Sequence, residues 1–324
     1  MLYPFTFKPI FKERIWGGRN LERLYQKNLP PKIPIGESWE ISDRPEGESV
    51  ISNGPLAGKT LRWLMENHRE DLLGSAKPAA SGRFPLLIKI LDAQEKLSLQ
   101  VHPPAAKAAQ LGGEPKTEIW YIADATLEAD LFVGLKRGTT RTEFEQKIQN
   151  GTVAECFPRI PVKKGDAMFL PSGRVHAIGA GNVIFEIQQN SDTTYRVFDW
   201  NRVDDQGKPR ELHVEKSLAS IDFNDFEPDL ILGNAIERNG ILRRNLVRDP
   251  LFKVDHGELP DRQNSPLPQN TLQIIGVLDG ELMITNSETK CALKPGQFCL
   301  IPASAKDTSL QAITSASFLK IISG

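Results

Sequence analysis

The sequence has little excess charge and no long apolar run, and each of these absences argues against a class of protein. Its 324 residues include 40 Lys and Arg against 41 Asp and Glu, which gives a net charge of −1. A nucleic-acid-binding chain usually carries a basic excess or stripe, so we expect no nucleic-acid partner. No run approaches the ~18 apolar residues of a membrane span. Residues 1–8 also lack the charged-then-apolar order of a signal peptide, so we expect no membrane partner and a cytoplasmic location.

Cysteine is scarce as well. The three cysteines, Cys156, Cys291 and Cys299, are odd in number and form no C-x-x-C pair. This pattern argues against a disulfide framework and against the usual cysteine-based structural zinc site. Buried, reduced thiols in a cytoplasmic protein are the expected state.

The chain is long enough for about two domains of roughly 100–200 residues each. Most of it consists of short strand-like segments separated by Gly and Pro turns. Helices are predicted over 60–73, 104–111 and 140–149, and residues 212–221 form either a short helix or a crossover segment. Lys164-Gly165, followed six residues later by Pro171, is echoed by Pro295-Gly296, followed six later by Pro302. We therefore predict a mainly β protein with two jelly-roll β-barrels, which are formed by residues 1–225 (with helical insertions) and 226–324.

One strand-like stretch, residues 97–102, is rich in groups that can do chemistry. Leu97, Leu99 and Val101 alternate with polar residues, so a β-strand places those polar side chains on one face. The polar set is Ser98, Gln100 and His102. Proline at 103 and 104 ends the predicted strand.

Two further stretches supply matching groups. Lys116 and Glu118 share one face of another predicted strand, and His176 ends the segment that begins at Gly165. Together Gln100, His102, Glu118 and His176 form a donor set that suits zinc, iron or manganese. From spacing alone, the alternative that His102 and His176 are separate hydrogen-bonded histidines stays open.

The motifs in these stretches resemble one family. Gly165, Pro171, Gly173 and His176 match the second cupin motif, G-x5-P-x-G-x2-H, although Ala180 stands where that motif has asparagine. Residues 97–103 resemble the S-[IL]-Q-x-H-P motif of the type I (cupin, zinc-dependent) mannose-6-phosphate isomerases, and residues 116–118 resemble their K-x-E. Residues 191–196 are similar to their S-D-N-x-x-R, with Thr193 in place of the asparagine. The resemblance covers most of the chain and is to the short bacterial form.

The resemblance implies a role for each matched residue. One zinc ion per chain would be held by Gln100, His102, Glu118 and His176. Lys116 and Arg196 would be catalytic groups beside the sugar. The substrate would be bound by Lys89, Ser98 and Asp192, with the phosphate near Lys89 and Ser98, because phosphate favours cationic and hydroxyl donors.

The implied reaction is the interconversion of mannose 6-phosphate and fructose 6-phosphate through an enediol(ate). A metal beside the C1 and C2 oxygens polarises the carbonyl. The group that takes the C2 proton stays open between a water on the metal, Lys116 and Glu37, and a metal-promoted hydride shift is the other open route. The expected partner is a small sugar phosphate, and the expected assembly is a monomer or small homo-oligomer.

Two other classes of function compete with this one. A site with two histidines and one carboxylate is also typical of iron oxygenases, but Gln100 as an extra ligand and Lys89 as a phosphate ligand argue against it. A sugar-phosphate-binding relative without catalysis is the second alternative, and the presence of Lys116, Glu118 and Arg196 argues against that. Metal analysis and a turnover assay, respectively, discriminate between them.

The second half of the repeat is expected to bind no metal. Counting from the shared Gly and Pro puts Asp307 opposite His176, and matching the preceding segments puts Gln273 opposite Glu118. His256 falls one residue out of register with His102, and a slip of one residue turns a strand side chain to the other face.

Overall fold

The computed structural model describes residues 2–203 and 206–324. Antiparallel strands dominate it and the six α-helices of the described chain are short, which confirms the predicted mainly β class. The chain forms two compact units. The first unit contains Met1–Lys12, Arg19–Ile90 and Ile231–Gly324, and the second contains Glu13–Gly18 and Leu91–Leu230. The division predicted between residues 225 and 226 stays a prediction.

The second unit carries most of the motif residues. Its strands are β6 (Leu99–Val101), β7 (Glu118–Ala125), β8 (Asp130–Val133), β9 (Arg159–Pro161), β10 (Ala167–Leu170), β11 (His176–Ile178), β12 (Asn182–Gln189) and β13 (Tyr195–Phe198). Its helices are α4 (Ala105–Ala108), α5 (Arg141–Gln149), α6 (Val214–Ser220) and a 3₁₀ turn (Val153–Cys156). One sheet has the order β13-β6-β11-β8-β9, and β12, β7 and β10 are neighbours in another.

Apolar residues of this unit form two buried clusters. One gathers Trp120, Leu131, Met168 and their neighbours, and the other gathers Val101, Phe144, Phe157 and theirs. Burying such side chains contributes about 1.5–3 kcal/mol each relative to leaving them exposed. The polar residues on the same short strands are thereby held in fixed positions.

The first unit contains the rest of the chain. Its helices are α1 (Asn20–Tyr25), α2 (Leu61–Asn67) and α3 (Arg69–Leu73). Its N-terminal strands are β2 (Ile35–Ile41), β3 (Asp43–Arg44) and β4 (Gly47–Glu48), whereas β1 (Ile10–Gly18) and β5 (Leu86–Ala93) begin in this unit and end in the second. Its C-terminal strands are β14 (Ala235–Arg238), β15 (Ile241–Arg248), β16 (Phe252–Leu259), β17 (Asn264–Pro266), β18 (Gln273–Asp279), β19 (Leu282–Thr285), β20 (Lys290–Leu293), β21 (Phe298–Ile301), β22 (Ser309–Ala312) and β23 (Ala316–Ser323). They form two sheets, β14-β15-β16-β23-β18-β21 and β17-β22-β19-β20, around one apolar core.

Helices lie where they were predicted, but α1 was not predicted and one predicted helix is divided in two. The side chains of Thr60 and Thr140 each accept a hydrogen bond from the backbone N–H three residues on, as expected of N-cap residues. The single helix predicted over 60–73 is instead two helices, α2 and α3, which are separated at His68. His68 has φ −142°, outside the helical range, and its ring lies 5.2 Å from that of Trp63. Gly74 ends α3 with φ +59°, a conformation that glycine adopts readily.

The internal repeat predicted from Gly165 and Gly296 is confirmed by strand register. In the second unit Glu118 lies opposite Leu170, and in the first unit Gln273 lies opposite Ile301. The N–H of Gly165 donates to the carbonyl of Ile122, and the N–H of Gly296 donates to that of Val277, its counterpart in β18. Both halves thus use the same turn and the same strand pairing.

The alignment of the remaining donor positions was wrong. His176 pairs with Gln100 and lies six residues before the start of β12, whereas Leu310 pairs with Ser265 and lies six before the start of β23. Leu310, not Asp307, is therefore the counterpart of His176, because Leu310 lies eight residues after Pro302 whereas His176 lies five after Pro171. The counterparts of the four donors Gln100, His102, Glu118 and His176 are Ser265, Leu267, Gln273 and Leu310.

His256 does not lie near the position in the second half of the repeat that corresponds to His102. It lies on β16, which pairs with β15 and β23, whereas Leu267 follows β17. In the described residues, no helix has the length and hydropathy needed to cross a membrane.

Candidate metal centre

Three adjacent strands of the second unit place predicted site residues in one row. Gln100 of β6 lies opposite His176 of β11 on one side and opposite Arg196 of β13 on the other. Directly opposed residues in an antiparallel sheet project to the same face. The sheet therefore presents Arg196, Gln100 and His176 side by side.

Glu118, the first residue of β7, meets this row from another sheet. Its Oε1 lies 3.3 Å from Nε2 of His176 and 3.5 Å from Nε2 of His102. The three side chains are fully buried, and their ligand atoms all lie within 4.8 Å of one another. The structure thus brings together the three ionisable members of the predicted donor set.

Both histidines are oriented by backbone carbonyls. Nδ1 of His102 lies 2.8 Å from the carbonyl oxygen of Thr193, and Nδ1 of His176 lies 2.9 Å from that of Arg174. A carbonyl oxygen only accepts, so in each ring Nδ1 carries the proton and Nε2 keeps its lone pair. This is the arrangement in which metal-ligating histidines are commonly held.

The electrostatics keep all three donors ready to bind a cation. Burial lowers the pKa of His176 to about 3 and, together with the positive charge of Lys116, lowers the pKa of His102, so both imidazoles are neutral at pH 7. Burial opposes the ionisation of Glu118, but the positive charge of Lys116 outweighs burial and holds the pKa of this carboxyl well below its usual range.

The residues fit a divalent metal ion. Nε2 of His102 and Oε1 of Glu118 are buried without a hydrogen-bond partner in the described part of the chain. Leaving such groups unsatisfied costs about 1–3 kcal/mol each, and more for a charged group. Two imidazole nitrogens and a carboxylate are donors that zinc, iron and manganese accept. The cluster can therefore hold a metal ion.

Lys116 lies directly behind the carboxylate. Its Nζ is 2.8 Å from Oε2 of Glu118 and 4.0 Å from Oε1 of Glu186, and all three side chains are buried. Glu186, which also accepts a hydrogen bond of 3.0 Å from Nε1 of Trp120, was missed in the sequence. The signal that could have identified Glu186 is a single charge inside the otherwise uncharged strand β12.

Ser98 and Asp192 differ in their surroundings. Ser98 is buried, two residues before Gln100, whereas Asp192 is exposed and precedes the start of β13. Asp192 therefore does not belong to the strand that contains Arg196. Arg196 is half-buried, and its Nη1 donates to the carbonyl of Glu211 over 2.7 Å.

Lys89 and Glu37 both lie in the first unit. Nζ of Lys89 is 3.7 Å from Oε2 of Glu37, and that same oxygen accepts a hydrogen bond of 2.6 Å from Nε1 of Trp39. Lys89 is only 3 % exposed. The ammonium group of Lys89 is therefore held inside the protein and not at its surface.

A mainly β jelly-roll chain with a buried His–Glu–His cluster belongs to the metal-binding cupin class. The family model described as "Phosphomannose isomerase type I, catalytic domain" matches residues 5–119. Mannose-6-phosphate isomerase ManA of Bacillus subtilis is 39% identical over 92% of this chain and 93% of its own, and the mannose-6-phosphate isomerase of Streptococcus mutans is 37% identical over 98% and 99%. The crystal structure of a B. subtilis mannose 6-phosphate isomerase superposes with a TM-score of 0.88, at 33% identity and 99% coverage of both chains.

The chain belongs to the type I phosphomannose isomerase family. The family resemblance drawn from the motifs is thereby confirmed. These relatives are named as isomerases, so the oxygenase alternative has no support among them.

Proposed function

We propose that this protein is a mannose-6-phosphate isomerase that interconverts mannose 6-phosphate and fructose 6-phosphate through an enediol(ate) at the His102–Glu118–His176 cluster. One observation carries the proposal. A buried donor set, with both imidazoles fixed as Nδ1–H tautomers, lies in a chain that is 37–39% identical to mannose-6-phosphate isomerases over nearly its whole length.

Zinc is the proposed metal, one ion per chain, with Gln100 as a fourth ligand. Nε2 of the Gln100 amide lies 3.4 Å from Nε2 of His176, so a half-turn of the amide directs its oxygen toward the same point. When bound, zinc supplies Lewis-acid polarisation of a substrate carbonyl. Neutral Gln and His with one carboxylate leave a divalent site with one positive charge, which suits a developing oxyanion.

Lys116 and Arg196 are the proposed catalytic residues. Lys116 holds a proton at Nζ in a buried position between two carboxylates, from which it donates to a substrate oxygen. Arg196 stands in the row with Gln100 and His176, and its Nε is buried without a hydrogen-bond partner in the described chain. Burial and the neighbouring Arg210 lower the pKa of Arg196, but a guanidinium remains charged in proteins. It therefore adds fixed positive charge beside the enediolate.

Lys89, Ser98 and Asp192 are the proposed substrate-binding residues. The burial of Lys89 and Ser98 and their match to the family motifs support their assignment to the phosphate. The support for Asp192 is the motif match alone. A sugar phosphate is the only partner proposed. A monomer or small homo-oligomer stays the expected assembly. A cytoplasmic location also stays an expectation, and it agrees with the three cysteines, which are all free.

A coupled assay with mannose 6-phosphate tests this function. Purified protein is assayed as isolated, after treatment with a chelator, and after dialysis with Zn²⁺, Mn²⁺ or Fe²⁺ added back. We expect turnover that the chelator removes and that Zn²⁺ restores best. A protein that binds mannose 6-phosphate but does not convert it would instead be a binding protein without catalysis, and restoration by Fe²⁺ alone would contradict zinc.

A further inference from the structure

A cavity lies within the first unit, and the proposed function gives it no role. Its volume is about 440 Å³, and its walls come from residues 6–9, from the end of α1, from β2 and from β20 and β21. Small-molecule sites commonly occupy about 300–1,000 Å³. The cavity is therefore large enough for a metabolite.

The floor of the cavity contains a buried ion pair. Nζ of Lys27 lies 2.7 Å from Oε1 of Glu40, and these side chains are only 7% and 6% exposed. Oε1 of Glu40 also accepts from the hydroxyl of Ser38 over 2.5 Å, whereas no described residue donates to Oε2. Burying a charge pair is expensive, and replacing it by apolar residues is often neutral or stabilising. Because both contacts use Oε1, Oε2 of Glu40 can accept a hydrogen bond from a hydroxyl group of a ligand.

The remaining lining residues fit a sugar. Aromatic rings of Phe7, Tyr25 and Phe298 supply apolar surface, and the hydroxyls of Thr6 and Ser52, 2.8 Å apart, can both donate and accept. Mixed aromatic, hydroxyl and carboxylate walls match a sugar ring, which has apolar C–H faces and hydroxyl edges. Such walls do not match a purely apolar ligand.

One cation at the rim adds a preference for an anion. Lys290 on β20 is exposed, lines the cavity, and forms no ion pair with a described residue. Lys27 and Glu40 cancel in charge, so Lys290 leaves the cavity with one net positive charge. An ammonium in this position favours a phosphate or carboxylate group on the ligand.

We propose that this cavity binds a phosphorylated monosaccharide and acts as an effector site. A bound ligand would affect Lys89 through β2, a strand in which successive side chains point to opposite faces. Ser38 and Glu40 lie on one face of β2, and Glu37 and Trp39 lie on the other, in contact with Lys89. A ligand on Glu40 thus acts on the strand that positions Lys89. The effect on KM rests on the proposed function, whereas the binding does not.

Calorimetric titration with α-mannose 1-phosphate tests the binding, because a phosphate on C1 blocks ring opening and therefore turnover. Ala292→Trp fills the cavity from an exposed position on β20, and Ser287→Trp places the same ring at an exposed position that does not line it. We expect Ala292→Trp to weaken binding by at least about tenfold and Ser287→Trp to leave it unchanged. Lys290→Ala should weaken the titration with α-mannose 1-phosphate but not one with free mannose.

Arg196→Ala separates this site from the metal centre. Binding of α-mannose 1-phosphate that survives Ala292→Trp but is lost in Arg196→Ala belongs to the active site and overturns the proposal, as does absence of binding up to about 10 mM. A shift in KM for mannose 6-phosphate that the probe causes in the wild type but not in Ala292→Trp supports the effector role. Binding without that shift overturns the effector role alone. Failure of the isomerase assay leaves the calorimetric result unaffected, so the two proposals fail separately.

Discussion

Lys116 and Glu118 form a buried ion pair whose atoms Nζ and Oε2 are 2.8 Å apart, although the two residues have different proposed roles. The lysine side chain is 5% exposed, and the glutamate is not exposed at all. Glu118 uses Oε2 for this pair, and its Oε1 faces the two imidazoles. One carboxylate thus connects the metal donors to the proposed proton donor.

Removing the proton donor should not remove the metal. Lys116→Ala leaves the Glu118 carboxylate and both imidazoles in place. It also removes a positive charge that competes with the metal ion for that carboxylate. We expect full metal content by elemental analysis, with kcat and kcat/KM both reduced by about 10²–10⁴-fold, as for loss of a general acid. Arg196→Ala should behave in the same way. Near-normal kcat at saturating substrate in either variant would show that its catalytic role is wrong.

Removing a donor should remove both metal and turnover. His102→Ala and Glu118→Ala each delete one of three clustered ligands, so metal content should fall to near zero and activity by at least about 10³-fold. His68→Ala is the matched control, since His68 lies at the break between α2 and α3 and not in the cluster. One equivalent of metal retained in both donor variants would contradict the assignment.

The stability of the metal-free protein should depend on pH through the two buried histidines. Their pKa values are lowered in the folded state, to about 3 for His176, so the unfolded chain binds protons that the folded protein does not as the pH falls below about 6.5. Stability is therefore lost on acidification, by up to about 1.4 kcal/mol per pH unit for each histidine. Urea unfolding of chelator-treated protein at pH 7 and pH 5.5 measures this slope. His176→Gln should flatten it and His68→Gln should not, and an equal slope in His176→Gln would refute the explanation.

Lys89 should act on substrate binding more than on turnover. If it binds the phosphate, Lys89→Ala should raise KM for mannose 6-phosphate by about 10–100-fold with a smaller change in kcat. Because this change also leaves Glu37 without its lysine, Lys89→Arg is needed as a charge-conserving control. Circular dichroism at the assay temperature checks that each variant is folded. A KM that stays within about twofold in Lys89→Ala would exclude the phosphate role.

The second half of the repeat should contribute no metal site. At the four donor positions it has Ser265, Leu267, Gln273 and Leu310, so the ionisable ligands are missing. We expect one metal equivalent per chain, unchanged in Gln273→Ala and His256→Ala. A second equivalent that disappears in either variant would overturn this expectation.

Most of the fold class and the donor set could be predicted from local pattern. Alternation around Gln100 and His102 and the glycine–proline spacing after Gly165 are short-range signals, and the structure brings His102, Glu118 and His176 together as expected. The N-cap at Thr140 is equally local, because its hydroxyl bonds to a group three residues away.

What could not be predicted depends on loop length or on backbone atoms. Three additional residues between Pro302 and Leu310 displaced Asp307 from the position of His176, and counting residues from Gly296 cannot detect that difference. The backbone carbonyls of Thr193 and Arg174 orient the two imidazoles. Every residue has a backbone carbonyl, so the sequence does not indicate which ones bind a histidine. The residues around His68 include no proline or glycine, which usually mark the end of a helix, so the break could not be predicted.

Because the two halves share their strand register, the second half is suited to the engineering of a metal site. Ser265 pairs with Leu310 as Gln100 pairs with His176, and Gln273 pairs with Ile301 as Glu118 pairs with Leu170. The four counterpart positions, Ser265, Leu267, Gln273 and Leu310, are all buried. The quadruple graft Ser265→Gln, Leu267→His, Gln273→Glu and Leu310→His transfers the complete donor set without moving a strand. A grafted protein that binds two ions instead of one would show that strand register suffices to build the centre. One that folds but still binds a single ion would show that the carbonyls behind the imidazoles must be transplanted with them.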